Sequence, residues 1–222
     1  MATDRGRGSG WQHGPVKPEE QPTVADDPWA AYAPDWDDDP AARAYSAAAY
    51  RSLIDRLTER GRSVGGMTIC DFGCGTGLLT EQLVDEAESI DAVDASPAML
   101  DVLTAKLAGR RWSNVRTGTD IPGGSGTHDL VVCSSVCGFL DDYPGTVRRL
   151  AGLLRPGGFF VQWDWEREAA GGDGLSRGEI DAALTAAGLE HIHVGTAFEL
   201  PFGDEMMRPL IGVGHKPLPG QP

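Results

Sequence analysis

The chain has 222 residues, of which 41% are apolar and 23% charged, and these values fit a single soluble globular domain with short extensions. A formal net charge of −14 disfavours nucleic acid as a partner, because an acidic surface repels the phosphate backbone. No apolar run is long enough to span a membrane, and the first residues lack the apolar stretch of a signal peptide. With only four cysteines, we expect a cytoplasmic protein without a disulfide framework.

Residues 1–34 are rich in Gly, Pro, Asp and Glu and have no hydrophobic period, which predicts a flexible acidic arm. The aromatic residues near the end of this arm are expected to dock on the body of the protein. The domain itself is predicted to span 35–216 and to be followed by a short tail at 217–222. Asp39-Pro40 is typical of a helix start, and an alanine-rich helix is expected to follow it.

Strand-like and helix-like segments then alternate along the chain. Apolar runs predict strands at 67–72, 89–94, 113–117, 129–136, 159–165, 190–198 and 207–215. Helical spacing and capping residues predict helices at 77–87, 96–107, 144–154 and 176–187. This alternation favours a single α/β domain with a doubly wound, mostly parallel sheet, in which ligands bind beyond the carboxyl ends of the strands.

A glycine-rich loop, DFGCGTG at 71–77, follows the first predicted strand. Glycines at alternate positions let the backbone turn tightly and bring its N–H groups close to a ligand. The dinucleotide fingerprint G-x-G-x-x-G places its third glycine one residue later, where this chain has Leu78. Asp71 at the start of the loop would also repel a diphosphate. The loop therefore favours a ligand with a cationic group.

Asp94 ends the second predicted strand, about 20 residues beyond the glycine loop. An acid at this place can accept hydrogen bonds from both hydroxyls of a ribose. Ser96-Pro97 already supplies the start of the next helix, so Asp94 is not needed as its cap. We therefore expect Asp94, with Ala95 beside it, to bind a nucleoside ligand.

In its glycine loop, in Asp94 and in further segments, the chain resembles the class I S-adenosylmethionine-dependent methyltransferases over 35–216. The resemblance rests on segments in a characteristic order: DFGCGTG at 71–77, VDASPAML at 93–100, Thr119-Asp120-Ile121, HDLVVCSSV at 128–136 and LLRPGGFFVQ at 153–162. It implies a Rossmann-like domain whose seven-stranded sheet ends in an antiparallel pair, formed here by the last two predicted strands. It also implies transfer of a methyl group from S-adenosylmethionine to a small-molecule acceptor by in-line displacement.

The resemblance further implies cofactor-binding residues at the ends of the first four strands. Those expected to contact the methionine part are Asp71, Gly73, Cys74, Gly75 and Ser134. Those expected to contact the adenosine part are Asp94, Ala95, Met99, Asp120 and Ile121. Asp71 would lie near the ammonium group, and Asp120 would accept a hydrogen bond from the adenine amino group.

Candidates for the acceptor side come from the fifth strand, the first helix and the arm. Asp164 ends the fifth predicted strand and is the candidate for orienting or deprotonating the acceptor. Asp141 and Asp142 are second candidates, although capping of the following helix explains them nearly as well. The aromatic residues proposed for the acceptor pocket are Tyr32, Trp36, Tyr45, Trp163 and Trp165. The two tryptophans of the fifth strand equally fit the hydrophobic core.

Two alternative functions use the same architecture: an NAD(P)-dependent oxidoreductase and a non-catalytic protein that binds S-adenosylmethionine. No metal site is expected. Trp165 stands where the metal-dependent catechol-type relatives have an oxygen ligand, and the four cysteines form two C-x₃-C pairs, which is not the usual zinc spacing.

Overall fold

The computed structural model describes residues 27–167, 174–202 and 205–220. Most of the predicted arm and the end of the predicted tail lie outside the described residues. The α-helices are α1 (Pro40–Thr58), α2 (Thr80–Leu83), α3 (Pro97–Arg110), α4 (Tyr143–Leu153) and α5 (Arg177–Ala186). The strands are β1 (Thr68–Phe72), β2 (Ser89–Val93), β3 (Val115–Gly118), β4 (His128–Ser134), β5 (Leu154–Asp164), β6 (Glu190–Thr196), β7 (Leu200–Phe202), β8 (Glu205–Met207) and β9 (Leu210–His215). Two 3₁₀ helices span Ala33–Asp38 and Cys137–Phe139.

Seven of the strands form one sheet in the order β3-β2-β1-β4-β5-β9-β6. Strands β1 to β5 are parallel, and β9 is antiparallel to both of its neighbours. The predicted doubly wound sheet with a C-terminal antiparallel pair is therefore confirmed. The strand order reverses between β1 and β4, so the crevice that such folds use for ligands lies beyond the carboxyl ends of these two strands.

Local sequence explains where the helices begin. The Asp39 carboxylate accepts a hydrogen bond of 2.8 Å from the N–H of Ala41, which caps α1 at the predicted place. Ser176 and Glu179 form the predicted reciprocal capping box at the start of α5. These caps satisfy backbone donors that the first turn of a helix leaves unpaired.

Both faces of the sheet are covered by hydrophobic clusters. Leu53 on α1 and Leu103 on α3 pack on one face, while Leu150 on α4 and Leu184 on α5 pack on the other. The central strands are buried on both sides, which explains their continuous apolar runs. Within the described residues, no helix has the length and apolarity that crossing a bilayer would require.

Two predicted elements differ from the structure. The helix expected at 77–87 is reduced to the single turn of α2, because residues 73–79 continue the glycine loop as a series of turns. A hairpin of β7 and β8 precedes the last strand, which was expected to start at 207. Residues 27–34 lie against the body, so the predicted boundary between arm and domain falls inside a docked segment.

Candidate functional site

A cavity of about 380 Å³ opens at the carboxyl ends of β1, β2 and β4, where the strand order reverses. All ten residues that the sequence predicts to bind the cofactor line this cavity: Asp71, Gly73, Cys74, Gly75, Asp94, Ala95, Met99, Asp120, Ile121 and Ser134. The fold therefore brings together residues that are up to 63 positions apart in the chain, as the numbering of Asp71 and Ser134 shows.

The glycine loop turns as predicted, but its backbone N–H groups form hydrogen bonds within the protein. Gly73 and Gly75 have φ values of +74° and +54°, which side-chain-bearing residues rarely adopt. The N–H groups of Gly73 and Cys74 both donate to the carbonyl of Val93, at 2.7 and 3.0 Å, and the N–H of Gly75 donates to Asp94. These three N–H groups are consequently not free for a phosphate. The loop supplies shape to the cavity wall instead of the donors that the sequence suggested.

Asp94 bridges the glycine loop and the start of α3. Its Oδ2 accepts from the N–H of Gly75 at 2.8 Å, and its Oδ1 accepts from the N–H of Ser96 at 2.9 Å. Burial raises the pKa of Asp94, and these two hydrogen bonds oppose the increase. Each carboxylate oxygen can accept more than one hydrogen bond, so this fixed carboxylate retains capacity for the hydroxyls of a ribose.

Asp71 carries an unsatisfied oxygen at the cavity. Its Oδ2 accepts a hydrogen bond of 2.6 Å from the Thr80 hydroxyl, whereas its Oδ1 is buried without a partner among the described residues. Burial raises the pKa of Asp71 to about 6, and Asp94 adds to the increase. A buried carboxylate oxygen without a partner is costly, and an ammonium group would satisfy it. The residues therefore fit the methionine end of S-adenosylmethionine.

The other predicted cofactor residues line the adenosine side. Met99 is buried below the cavity, and Ile121 packs with the cluster on the α4 side of the sheet. Asp120 is exposed at the rim. The flat adenine ring could lie between the side chains of Met99 and Ile121 while the Asp120 carboxylate accepts a hydrogen bond from its amino group.

The N-terminal segment covers the cavity. Trp29 and Trp36 both line it, and the Trp29 ring stands edge-on to Trp36 at 6.2 Å and to Phe139 at 5.5 Å. The Asp27 carboxylate accepts hydrogen bonds from the Ser96 hydroxyl at 2.7 Å and from the N–H of Ala98 at 3.2 Å. We call residues 27–38 the cover segment. Sequence reasoning expected docking here but did not identify Asp27, because no local pattern marks a carboxylate that caps a helix 70 residues away.

The aromatic residues proposed for the acceptor pocket divide into three groups. Trp36 and Tyr45 line the cavity. Trp165 packs on Tyr45 at 5.6 Å without lining the cavity, and Tyr32 is 45% exposed on the outer side of the cover segment. Trp163 is completely buried in the core, where its indole N–H donates to the Ser52 hydroxyl at 2.8 Å. The prediction that Trp163 reaches the pocket is wrong, because the pleat of β5 turns it toward α1.

Asp164 is buried behind the cavity wall, close enough to Tyr45 for its charge to raise the pKa of that phenol. Its carboxylate is buried and accepts from the N–H of Gly138 at 3.0 Å, with Gln162 at 3.4 Å on the other oxygen. Burial raises its pKa to about 7, a value that would suit a general base. However, Asp164 does not line the cavity, and its contacts make it a support for the 137–139 turn. The lining of the cavity gives no support to the predicted role of Asp164 in deprotonating the acceptor, and that role stays a prediction.

Asp141 and Asp142 are the second candidates for deprotonating the acceptor, and neither lines the cavity. Asp142 accepts from the N–H of Gly145 at 2.9 Å as the N-cap of α4, and Asp141 is exposed. The four cysteines are buried thiols. Within 27–167, 174–202 and 205–220, no three His, Cys, Asp or Glu side chains are grouped so as to hold a metal ion.

Six other residues that line the cavity were assigned no site role from the sequence. They come from the turn after β4 and from α4, and they are Ser135, Val136, Phe139, Leu140, Thr146 and Arg149. Only the tertiary fold brings α4 against this edge of the sheet.

Comparison with known proteins agrees with this geometry. Residues 70–160 match the family described as methyltransferase domain. A malonyl-[acyl-carrier protein] O-methyltransferase from Serratia marcescens is 31% identical over 123 residues, which are 54% of this chain and 48% of that protein. The chain spans about half, or less, of the length of the first curated relatives that it matches.

Solved structures share the fold at low sequence identity. An S-adenosylmethionine-dependent methyltransferase from Aquifex aeolicus is 18% identical with a TM-score of 0.59, and the match covers 84% of this chain and 97% of that one. A magnesium protoporphyrin IX methyltransferase from Synechocystis, solved with bound S-adenosylmethionine, is 19% identical with a TM-score of 0.59, covering 75% of this chain and 77% of that one.

Proposed function

We propose that the chain is a class I S-adenosylmethionine-dependent methyltransferase and that it transfers a methyl group from S-adenosylmethionine to a small-molecule acceptor by in-line displacement. The observation that carries the proposal is the buried, unpartnered Oδ1 of Asp71 at the wall of the cavity. A carboxylate in this state favours a ligand with a cationic group, and S-adenosylmethionine has both an ammonium and a sulfonium.

The residues of the chain would bind and orient this cofactor. When bound, S-adenosylmethionine supplies a methyl group that its sulfonium already activates, so the protein needs only to align it with an acceptor. Asp71 would pair with the ammonium end, and Asp94 would accept from the ribose hydroxyls. Because Asp94 is itself held by Gly75 and Ser96, the ribose would bind to a preorganised acceptor at little entropic cost.

The cover segment would exclude water from the reacting atoms. Trp29 and Trp36 close the cavity with apolar rings, and the carboxylates of Asp27 and Asp37 tie the segment to α3 and to the glycine loop. Aromatic faces near a cationic sulfur are electrostatically favourable. The same rings leave room for a small acceptor in preference to a polymer.

The loop geometry disfavours the oxidoreductase alternative. A dinucleotide needs backbone donors for its diphosphate, and in this loop the N–H groups of Gly73, Cys74 and Gly75 are used within the protein. Three carboxylates at the cavity, Asp71, Asp94 and Asp120, would also repel the diphosphate.

We also propose a reducing, cytoplasmic setting, because all four cysteines are buried thiols.

Transfer of radiolabel tests the proposal. The protein would be incubated with methyl-labelled S-adenosylmethionine and a bacterial small-molecule extract, beside the Asp94→Ala variant as a matched control. Label is expected in a low-molecular-weight product with the wild type, and much less of it with the variant when the cofactor concentration is near the wild-type Kd. Tight binding of the cofactor without label in any product would instead indicate a non-catalytic binding protein.

A further inference from the structure

Two buried hydroxyl groups meet at the wall of the cavity without a satisfied hydrogen bond. The hydroxyl oxygens of Tyr45 and Ser135 are both shielded from solvent, and neither has a partner among the described residues. Both residues line the cavity, and Tyr45 is only 4% exposed. An unpaired buried hydroxyl is costly, so two of them on residues that line one cavity point to a ligand atom that satisfies them.

The hydroxyls of Ser135 and Ser134 lie near that of Tyr45 but not in hydrogen-bond geometry with it. Burial raises the pKa of Tyr45 and the charge of Asp164 adds to the increase, whereas the two serine hydroxyls oppose it. Tyr45 therefore keeps its proton at neutral pH and acts as a donor. Ser135 can donate or accept, because its hydroxyl rotates freely.

Rigid surroundings hold both groups in place. The Tyr45 ring packs on Trp165 at 5.6 Å and edge-on to Phe198 at 5.3 Å. Ser135 has a φ of +55°, and its N–H donates to the carbonyl of Trp163 at 2.8 Å. A non-glycine residue with positive φ is strained, and such strain persists mainly where the surrounding structure enforces a functional position.

The pair adjoins the part of the cavity assigned to the methionine end. Ser135 follows Ser134 at the end of β4, and the next residue, Val136, packs against the glycine loop so closely that a Cβ at Gly73 would lie 2.4 Å from its Cβ. A ligand atom at the two hydroxyls would therefore lie next to the reacting end of the cofactor, not beyond its adenine.

We propose that the hydroxyls of Tyr45 and Ser135 bind the acceptor through an oxygen atom, so that they select acceptors with a hydroxyl, carbonyl or carboxylate oxygen on an apolar, flat body. This inference rests on the proposed function. Both groups can donate to the lone pairs of such an oxygen, and the rings of Trp36, Tyr45 and Phe139 line the space around the rest of the molecule.

Phenol and toluene serve as matched probes, because they differ mainly in one oxygen. Ligand-observed NMR titrations would measure their affinities for the protein saturated with S-adenosylhomocysteine. The wild type is expected to prefer phenol about fivefold, and Tyr45→Phe and Ser135→Gly are expected to lower phenol affinity about 3- to 10-fold while changing toluene affinity less than about twofold. Phenylalanine preserves the ring packing, and glycine adopts the φ of Ser135 without strain.

Tyr50→Phe is the matched control. Tyr50 lies on the same helix, and its hydroxyl donates to Glu86 at 3.3 Å outside the cavity. This variant should bind phenol as the wild type does. The proposal is overturned if the wild type shows no preference for phenol, if the two cavity variants keep it, or if phenol and toluene lose affinity equally. Binding of S-adenosylhomocysteine would be measured separately, and the phenol and toluene titrations would be repeated without it. If S-adenosylhomocysteine does not bind, the proposed function is contradicted, whereas the preference for phenol still tests the two hydroxyls.

Discussion

The Asp37 carboxylate accepts a hydrogen bond of 2.6 Å from the Thr76 hydroxyl, across 39 residues of chain. The same carboxylate forms an ion pair with Lys106, whose ammonium also donates to the carbonyl of Thr76 at 2.9 Å. Asp37 therefore ties the cover segment to the glycine loop and, through Lys106, to α3. Asp27 ties the same segment to the start of α3.

Removal of this tie should loosen the cover segment. We expect Asp37→Ala to lower the free energy of unfolding by about 1–2 kcal/mol, because two charged contacts of a partly buried carboxylate are lost. Affinity for S-adenosylhomocysteine should fall with it. Calorimetry and thermal unfolding would measure both. Asp38→Ala is the control, since the Asp38 side chain is 84% exposed and its pair with Arg43 is at the surface; equal effects in the two variants would contradict the role of Asp37.

Cofactor binding should depend on pH through Asp71. Its pKa of about 6 in the free protein must fall when a cationic group binds, because the cation favours the ionised carboxylate. Affinity for S-adenosylhomocysteine should consequently be highest above pH 6 and fall by up to about tenfold per pH unit below it. Calorimetry between pH 5 and 7 would measure this slope. Asp71→Asn should bind more weakly and with a smaller dependence on pH; an unchanged slope in that variant would remove Asp71 from the site.

Asp164 should make the protein more stable as the pH falls from 8 to 5, whereas His215, whose pKa burial lowers to about 4, acts in the opposite direction below pH 6.5. The pKa of Asp164 is about 7 in the folded protein and near 4 when unfolded, so folding takes up a proton between these values. A raised carboxyl pKa costs stability while the group is ionised, and protonation removes that cost. Thermal unfolding should show Asp164→Asn to be more stable than the wild type at pH 8 and less dependent on pH. Asp101→Asn is the control, because the Asp101 carboxylate that it removes is exposed. If stability depends on pH in the same way in the wild type and both variants, the expectation is contradicted.

Asp94→Ala should weaken nucleoside binding by about 1.5–3 kcal/mol if the carboxylate accepts charged hydrogen bonds from the ribose. Part of the loss would come from the glycine loop, since the N–H groups of Gly75 and Ser96 would lose their acceptor. Calorimetry with adenosine and with S-adenosylhomocysteine would measure the effect. Wild-type affinity in this variant would exclude Asp94 from the ribose site, and Asp101→Ala on the outer face of α3 should bind normally.

The order of the elements and the cofactor side of the cavity could be predicted because their signals are local. Asp39-Pro40 and Ser176 with Glu179 mark helix starts, and the buried parallel strands read as apolar runs. The carboxyl ends of such strands share one edge of the sheet, so Asp71 and Asp94 could be placed together before their contacts were known.

The acceptor side depends on long-range contacts that no local pattern encodes. Trp163 lies near a predicted strand end, yet it donates a hydrogen bond to Ser52 in the core. Trp36 lies near the predicted domain boundary, and it lines the cavity. The strained Ser135 has no signal in the sequence, since positive φ at a serine is imposed by its neighbours. Asp164 was placed correctly at a strand end, but its carboxylate accepts from the N–H of Gly138 and does not line the cavity.

Calorimetric titration of the purified protein with S-adenosylhomocysteine and, separately, with NAD⁺ tests the central assignment most directly. Because Asp71 offers an unpaired carboxylate oxygen and the glycine loop has its donors occupied, we expect a single site for S-adenosylhomocysteine and no binding of NAD⁺. Binding of NAD⁺ with no heat from S-adenosylhomocysteine would contradict it.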